Sequence, residues 1–296
     1  MSPAPFFFKA LIGPETLPVP ELPEVETIRR ALQASLPGLE VLHTAVLETR
    51  LRRPVRPPSL RQLEGQRFVE VGRRGKYLLL WTDAEQALVV HLGMTGRVDV
   101  FPRRGVLLRP HDHIRWQLRG KGGVRLEMRY HDPRRFGLVV RLQRRSIAAH
   151  PLFARLGPEP LDREFNGVYL RRRMRRSRRP IKNTIMDAGV VVGVGNIYAS
   201  EALWRAQLNP KIQAGRVGEA RCQRLCDAIV AVLREAIEQG GTTLSDYRDP
   251  VGTAGSFQVR LHAYGREGRE CHRCGGTIRR VVQSSRSTFY CPGCQH

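Results

Sequence analysis

Four cysteines close the chain as two CxxC pairs, Cys271/Cys274 and Cys291/Cys294, with sixteen residues between the pairs. Each pair lets two sulfurs of one tight turn reach one metal, and four thiolates form a closed tetrahedral site of the structural zinc kind. Gly275-Gly276 and Pro292-Gly293 supply the turn residues. So short a tail has little core, and metal binding must supply its folding free energy, on the order of 10 kcal/mol. Near the other end stands Pro20-Glu21-Leu22-Pro23-Glu24-Val25-Glu26-Thr27. Its acids sit where the positive end of a helix dipole favours them, and Pro23 suits a first turn. A proline nitrogen is a nucleophile only as a free secondary amine. As an internal residue Pro20 has an amide nitrogen instead.

The charge names the partner class. Lys plus Arg number 50 and Asp plus Glu 27, a net charge of +23 with a pI near 11.1. Such an excess points to a polyanion, above all nucleic acid. Nearly all the cations are arginines, as a GC-rich genome would favour; only Lys9, Lys76, Lys121, Lys182 and Lys211 are lysines. Hydrophobic residues make up 41% of the 296, enough for two domains plus a small module. No apolar run approaches the ~20 residues that span a bilayer. Phe6-Phe7-Phe8 is too short for a signal peptide, with no small-residue cleavage site after it. Six cysteines in such a chain fit a reducing compartment and metal thiolates. Cys222 and Cys226, four apart in a helical pattern, read as plain thiols.

The elements that must position these residues follow from periodicity. Leu22 begins a helix that runs through Ile28, Ala31, Leu32 and Leu36 until Pro37-Gly38 stops it. Short strands are expected over 41–47, 67–71, 77–81, 87–91, 97–101, 113–118, 124–130 and 137–142. Eight such strands separated by turns suggest an antiparallel sandwich or barrel. Residues 149–160, rich in proline, read as a linker. Helices are then expected over 166–174 with Asp162 as the cap, over 199–206 and over 219–239, where Gly240-Gly241 ends the last. Residues 242–257 form a Gly-, Thr- and Asp-rich loop. Between the cysteine pairs, 277–282 and 287–290 read as a hairpin with Arg286 at its tip.

Other segments carry two readings each. The turn Val191–Tyr198 has glycines just before a helix, so its amides could meet a phosphate, with Asn196 adding a contact; otherwise it is a tight turn. Arg171–Arg179 holds seven arginines, a solvated helix face or a DNA contact, with Lys182 just beyond. Asp132–Gly137 sets Arg134 and Arg135 beside Phe136, which could bond base edges and wedge between bases, or be surface and core residues. His91–Gly96 offers Met94 as a wedge or a buried methionine. His111 and His113 flank Asp112 and read better as strand-edge histidines than as metal ligands. Lys76 is a phosphate contact or a strand-end charge.

Together these segments resemble the formamidopyrimidine-DNA glycosylase family, bacterial enzymes of 8-oxoguanine repair. The matching stretches are 20–27, 73–80, 91–96, 132–137, 191–201, 240–243 and the tail through Arg286–Cys291. They run from residue 20 to the C-terminus, 277 of 296 residues. The sister family, endonuclease VIII-like enzymes for oxidised pyrimidines, usually begins Pro-Glu-Gly-Pro; Leu22 and the wedge segment favour the purine branch. The resemblance implies an α+β multidomain chain: an extension over 1–19, an N-terminal antiparallel β-sandwich with a leading helix over 20–148, a linker over 149–160, a helical helix-two-turn-helix domain over 161–260 and a β-hairpin zinc finger over 261–296. It implies a monomer in the bacterial cytoplasm, at the nucleoid, acting on double-stranded DNA with oxidised bases or abasic sites. One structural zinc is expected and no organic cofactor.

By the same resemblance Pro20, freed as an N-terminal amine, attacks the sugar C1′. The resulting iminium drives β- and then δ-elimination. Glu21 acts as acid and base at the sugar, and Glu24 builds the pocket. Lys76, Lys182, Asn196 and Arg286 grip phosphates. Met94, Arg134 and Phe136 fill the void left by the everted base, with His91 and Arg135 also placed against DNA. Thr242, Thr243 and Tyr247 close over the base, although Ser245 stands where some members have a lysine. Either residues 1–19 are removed or translation begins at Val19, read from a GUG codon. If Pro20 stays blocked, the alternative is a lesion-binding protein without catalysis. A zinc-finger transcription factor explains the charge and the cysteines but not Pro20–Thr27.

Overall fold

The computed structural model describes residues 19–103, 107–241 and 261–296. The leading helix α1 spans Leu22–Ser35, and the Glu24 carboxylate accepts the Glu21 N–H at 2.9 Å, closing one end of a capping box. Val25, Ile28, Leu32 and then Leu36 line one face and pack into the sheet core.

All eight expected strands form. β1 (Glu40–Val46), β2 (Phe68–Arg74), β3 (Tyr77–Thr82), β4 (Gln86–His91), β5 (Arg97–Pro102), β6 (Asp112–Arg119), β7 (Arg125–His131) and β8 (Leu138–Gln143) make two four-stranded antiparallel sheets. Their orders are β1-β6-β7-β5 and β2-β3-β4-β8. The architecture is a sandwich, with Phe68, Leu78, Leu80, Val90, Trp116 and Tyr130 buried between the layers. In β3 the residues Leu78, Leu79 and Leu80 are all buried, which a one-faced strand does not allow. The second face is covered by Phe153, from the segment expected to be a linker. Tyr77 and Phe153 pack with ring centroids 5.2 Å apart. A short helix α2 (Pro57–Arg61) was not foreseen.

The second half is helical. It contains α3 (Gly167–Met174), α4 (Ile181–Ile185), α5 (Asn196–Arg205) and α6 (Glu219–Glu238). Asn166, not Asp162, caps α3, accepting the Tyr169 N–H at 2.9 Å. The α6 stripe of Leu225, Ile229, Val232, Leu233 and Ala236 packs against α3 and α5. Cys222 and Cys226 lie in that stripe, where burial pushes their thiols up to about 11 and about 12, so they are inert core residues. The tail carries the hairpin β9 (Arg279–Gln283) and β10 (Arg286–Tyr290), turned by Ser284 and Ser285 at positive φ. Among the described residues no helix is long and apolar enough to cross a membrane.

Candidate active site and nucleic-acid interface

The head of α1 is held in the turn that precedes α5. Leu22 N–H donates to the Gly193 carbonyl at 3.1 Å, and the Leu22 side chain is buried among Val191, Val194 and the helical core. A Cβ on Gly193 would stand 2.5 Å from Leu22 Cδ1, and its φ of +83° suits glycine. Gly195 meets Glu21 in the same way: a Cβ there would lie 2.1 Å from the carboxyl carbon. The amides before α5 therefore receive Glu21. Gly195 N–H donates to Oε2 at 2.7 Å, Ile197 N–H to Oε1 at 3.0 Å and Tyr198 N–H to Oε2 at 3.4 Å. This corrects the expectation that these amides meet a phosphate: the helix N-terminus does hold an anion, and the anion is a side chain of the chain itself.

Burial raises the Glu21 carboxyl above the ordinary range, against the pull of the Lys76 ammonium and the amides. Lys76, just past the Gly75 turn, is in turn pushed down by burial and held up by Glu21 and Glu24. Glu24 lies behind Glu21 and also accepts the Tyr198 hydroxyl at 2.6 Å. Glu21, Lys76, His91, Met94, Phe136, Asn196 and Arg286 line one cleft of about 740 Å³, with Arg52, Ile197 and Tyr264 among its other walls. Val19 opens onto it too, so the backbone on either side of Pro20 borders the cleft.

Lys182 stands behind this wall. Its ammonium donates to Asn196 Oδ1 at 2.5 Å, to the Ser287 carbonyl at 3.0 Å and to Thr288 Oγ1 at 2.7 Å. Desolvation and Arg286 lower it to about 8. The lysine thus ties α4, the start of α5 and the zinc hairpin to one point. Asn196 and Arg286 in turn line the cleft in front of it.

Two loops build the opposite wall. Asp132 accepts Thr95 Oγ1–H at 2.6 Å, Tyr130 O–H at 3.1 Å and Gly137 N–H at 2.8 Å. The bonds lock 91–96 to 132–137, so that Met94 and Phe136 share the cleft. Phe136 keeps 47% of its surface exposed, an apolar ring in a basic groove, with the Arg134 guanidinium 4.9 Å above it. Arg135 departs from expectation. It has φ +56° and pairs with Glu48 at 3.1 Å, away from the cleft lining. His91 accepts the Gly93 N–H on Nδ1 at 3.0 Å, and burial holds it down at about 4, so it brings no charge at neutral pH. His113 is held inside the sheet, where its Nε2 bonds the Asp132 carbonyl at 2.7 Å. Thr242, Thr243, Ser245 and Tyr247 lie outside the described residues.

Sequence reasoning passed over Glu201. It is buried in α5 and accepts the amides of His262, Ala263 and Tyr264 at 2.9, 2.9 and 2.8 Å. That fixes the wall residue Tyr264, whose ring packs on Phe289 at 5.1 Å. A lone Glu in a helical pattern gives no such signal.

The sulfurs of Cys271, Cys274, Cys291 and Cys294 all lie within 4.8 Å of one another. A tetrahedral zinc with ~2.3 Å bonds places its sulfurs roughly 3.8 Å apart, and Cys271–Cys294 and Cys274–Cys291 measure 3.9 and 3.4 Å. Trp204 Nε1–H donates to Cys271 Sγ at 3.3 Å, as thiolate ligands favour. The donor set fits one structural zinc. Stripping it with a strong chelator is expected to weaken lesion-duplex binding about a hundredfold in fluorescence anisotropy, because Arg286 and the Lys182 anchors ride on the hairpin. An unchanged Kd after verified metal loss contradicts this.

Comparison with known proteins adds the family. Residues 19–139 match the formamidopyrimidine-DNA glycosylase N-terminal domain, 156–248 the H2TH domain of the same enzymes, and 268–296 the zinc finger found in FPG and IleRS. The formamidopyrimidine-DNA glycosylase of Magnetococcus marinus is 48% identical over 279 residues, 94% of this chain and 99% of that protein. The MutM (Fpg) protein of Thermus thermophilus superimposes with a TM-score of 0.80 at 42% identity, over 93% of this chain and 98% of its own. The Lactococcus lactis Fpg in complex with DNA containing Fapy-dG gives 0.83 at 30%, over 93% and 100%. With the sandwich, the cleft at the head of α1 and the four-cysteine hairpin all in the same order along the chain, it belongs to the formamidopyrimidine-DNA glycosylase family.

Proposed function

We propose that this chain is a base-excision repair enzyme that removes oxidised purines, 8-oxoguanine and formamidopyrimidines, from duplex DNA and cleaves the abasic site it makes. One observation carries the reading: Val19 and Glu21, on either side of Pro20, line one cleft with Lys76, Asn196 and Arg286, faced by Met94 and Phe136. Pro20, as a free secondary amine, attacks C1′ as the base departs. Glu21 gives a proton to the sugar ring oxygen, for which a raised carboxyl is suited. The open-chain iminium then makes the adjacent C2′ hydrogen acidic, and elimination breaks the 3′ and then the 5′ phosphate bond. Zinc has no part in these steps beyond folding the hairpin.

Lys76, Lys182, Asn196 and Arg286 form the phosphate grip, Lys182 by holding Asn196 in place. The everted base costs a few kcal/mol of stacking; Met94 and Phe136 fill the gap, and Arg134 meets the widowed cytosine. We assign residues 20–148 to the sandwich domain, 161–260 to the helical domain and 261–296 to the finger, and the compartment to the bacterial cytoplasm, on nucleoid DNA. The test is strand scission under single turnover. A duplex with 8-oxoguanine opposite cytosine should be cut at least about tenfold faster than one with thymine glycol, a difference of roughly 1.4 kcal/mol in barrier. The reverse order moves the chain to the pyrimidine branch.

A further inference from the structure

The segment 149–160, read from the sequence as a linker, ends in a carboxylate that no catalytic role uses. Glu159 is 14% exposed and accepts from three donors of one turn. Arg73 Nη1 donates at 2.7 Å, Arg74 Nη1 at 2.9 Å and the Gly75 N–H at 2.6 Å. The next residue is Lys76. Arg73 also bonds the Gly75 carbonyl at 2.9 Å and Glu26 of α1 at 3.1 Å. The Arg74 guanidinium donates to the Gly157 carbonyl at 2.5 Å.

The same few residues reach the helical half. Gly157 N–H donates to the Ala188 carbonyl at 2.8 Å, and Val192 N–H to the Pro158 carbonyl at 3.2 Å. Gly75 lies against Val192, where a Cβ would stand at 3.0 Å, and its φ is +56°. The carboxylate holds the β2–β3 turn that carries Lys76, and that turn connects through Arg73 to Glu26 of α1 and through Gly75 to Val192 of the turn that seats Glu21.

We infer that Glu159 is a positioning residue, which fixes the Arg73–Gly75 turn and through it the place of the Lys76 ammonium beside Glu21. The geometry leaves little alternative for the turn. Its Gly75 amide is held by this carboxylate and its Gly75 carbonyl by Arg73, which the carboxylate also binds, and Lys76 follows with no residue between. Glu159 is outside the cleft lining and carries a negative charge, so it is not itself a phosphate ligand. The inference rests on the proposed phosphate contact of Lys76 being strongest in the transition state, where it shows in the rate rather than in Kd, and the experiment separates the two.

The experiment is a double-mutant cycle of Glu159→Gln and Lys76→Ala, read as the single-turnover rate of 8-oxoguanine excision at saturating enzyme and as Kd for the same duplex. Glu159→Gln keeps an acceptor for the Gly75 amide and the size of the side chain, which protects the fold. In the wild-type background it should slow the step about tenfold with Kd moved less than about twofold, and in the Lys76→Ala background it should add no further loss beyond about twofold. An equal loss in both backgrounds makes Glu159 a structural residue and overturns the inference, as does no loss in the wild type. If Lys76→Ala by itself leaves the rate unchanged, the role of Lys76 fails, and the Glu159 inference falls with it by a separately visible route.

Discussion

Protein beginning at Pro20 should be captured as a covalent adduct when borohydride is added to its mixture with a duplex carrying 8-oxoguanine opposite cytosine. The same chain with residues 1–19 in place should give none. The nitrogen of an internal proline is an amide whose lone pair is delocalised into the carbonyl. Freed, it becomes a secondary amine, and an α-amine titrates near pH 8, so a useful neutral fraction attacks at pH 7. Amine and sugar aldehyde lose water to give an iminium, and hydride reduces its C=N bond to a stable C–N link. The geometry favours this nitrogen because Val19 and Glu21, its neighbours, both border the cleft. The rival amine is Lys76, which burial also pushes toward its neutral form. An adduct with both proteins, abolished by Lys76→Ala, assigns the chemistry to that lysine. No adduct with either, despite tight binding, leaves a lesion-binding protein and removes the mechanism.

The sequence carried the fold where local periodicity is the cause of structure. α1 and α6 follow from the helical stripe and the strands of the sandwich from short apolar runs bounded by turns, and the cysteine spacing implied the metal site. It failed where the cause lies across the chain. α4 has five residues, too few for a period, and exists because Ile181 and Ile185 are buried in the helical core. Leu79 is covered by Phe153, which comes from a segment whose prolines suggested a linker.

The site divides in the same way. Residue types at Pro20, Lys76, Asn196 and Arg286 were legible as chemistry, but their convergence was not. Glycines before a helix announce an anion site, and the sequence cannot say that the anion is Glu21, 174 residues away. Arg135 was credited with a DNA contact because it stands beside Phe136. The structure adds what the sequence could not show, a left-handed backbone there and an ion pair with Glu48. Glu159 and Glu201 were silent because a carboxylate that gathers amides and guanidinium groups looks, in one dimension, like any surface acid.

Glu21→Gln should reduce base excision by about a thousandfold, the middle of the range for loss of a positioned general acid, while cleavage of a preformed abasic site falls less. An abasic site needs no proton to release a base, and its open aldehyde is accessible to the amine. The glutamine keeps the shape, but its NH₂ faces three amide donors, so one hydrogen bond becomes a donor–donor contact that costs about 1–3 kcal/mol. Thermal unfolding measures that cost apart from the rate. The pH profile carries the chemical claim. In the wild type, excision should fall at low pH as the Pro20 amine takes a proton, and at high pH as the buried Glu21 carboxyl, raised above 4.5, loses its own. The variant should keep the acid limb and lose the Glu21 limb. Stability shifts with the same sign: a carboxyl raised in the folded state stabilises fully below its unfolded value of 4.5, and that contribution disappears as pH rises through the folded value. The difference in stability between wild type and variant should therefore shrink from acid toward neutral pH. A variant with wild-type excision, or with an unchanged alkaline limb, would show that the proton comes from another group, and the carboxylate in the α5 amides would then only hold the head of α1 in place.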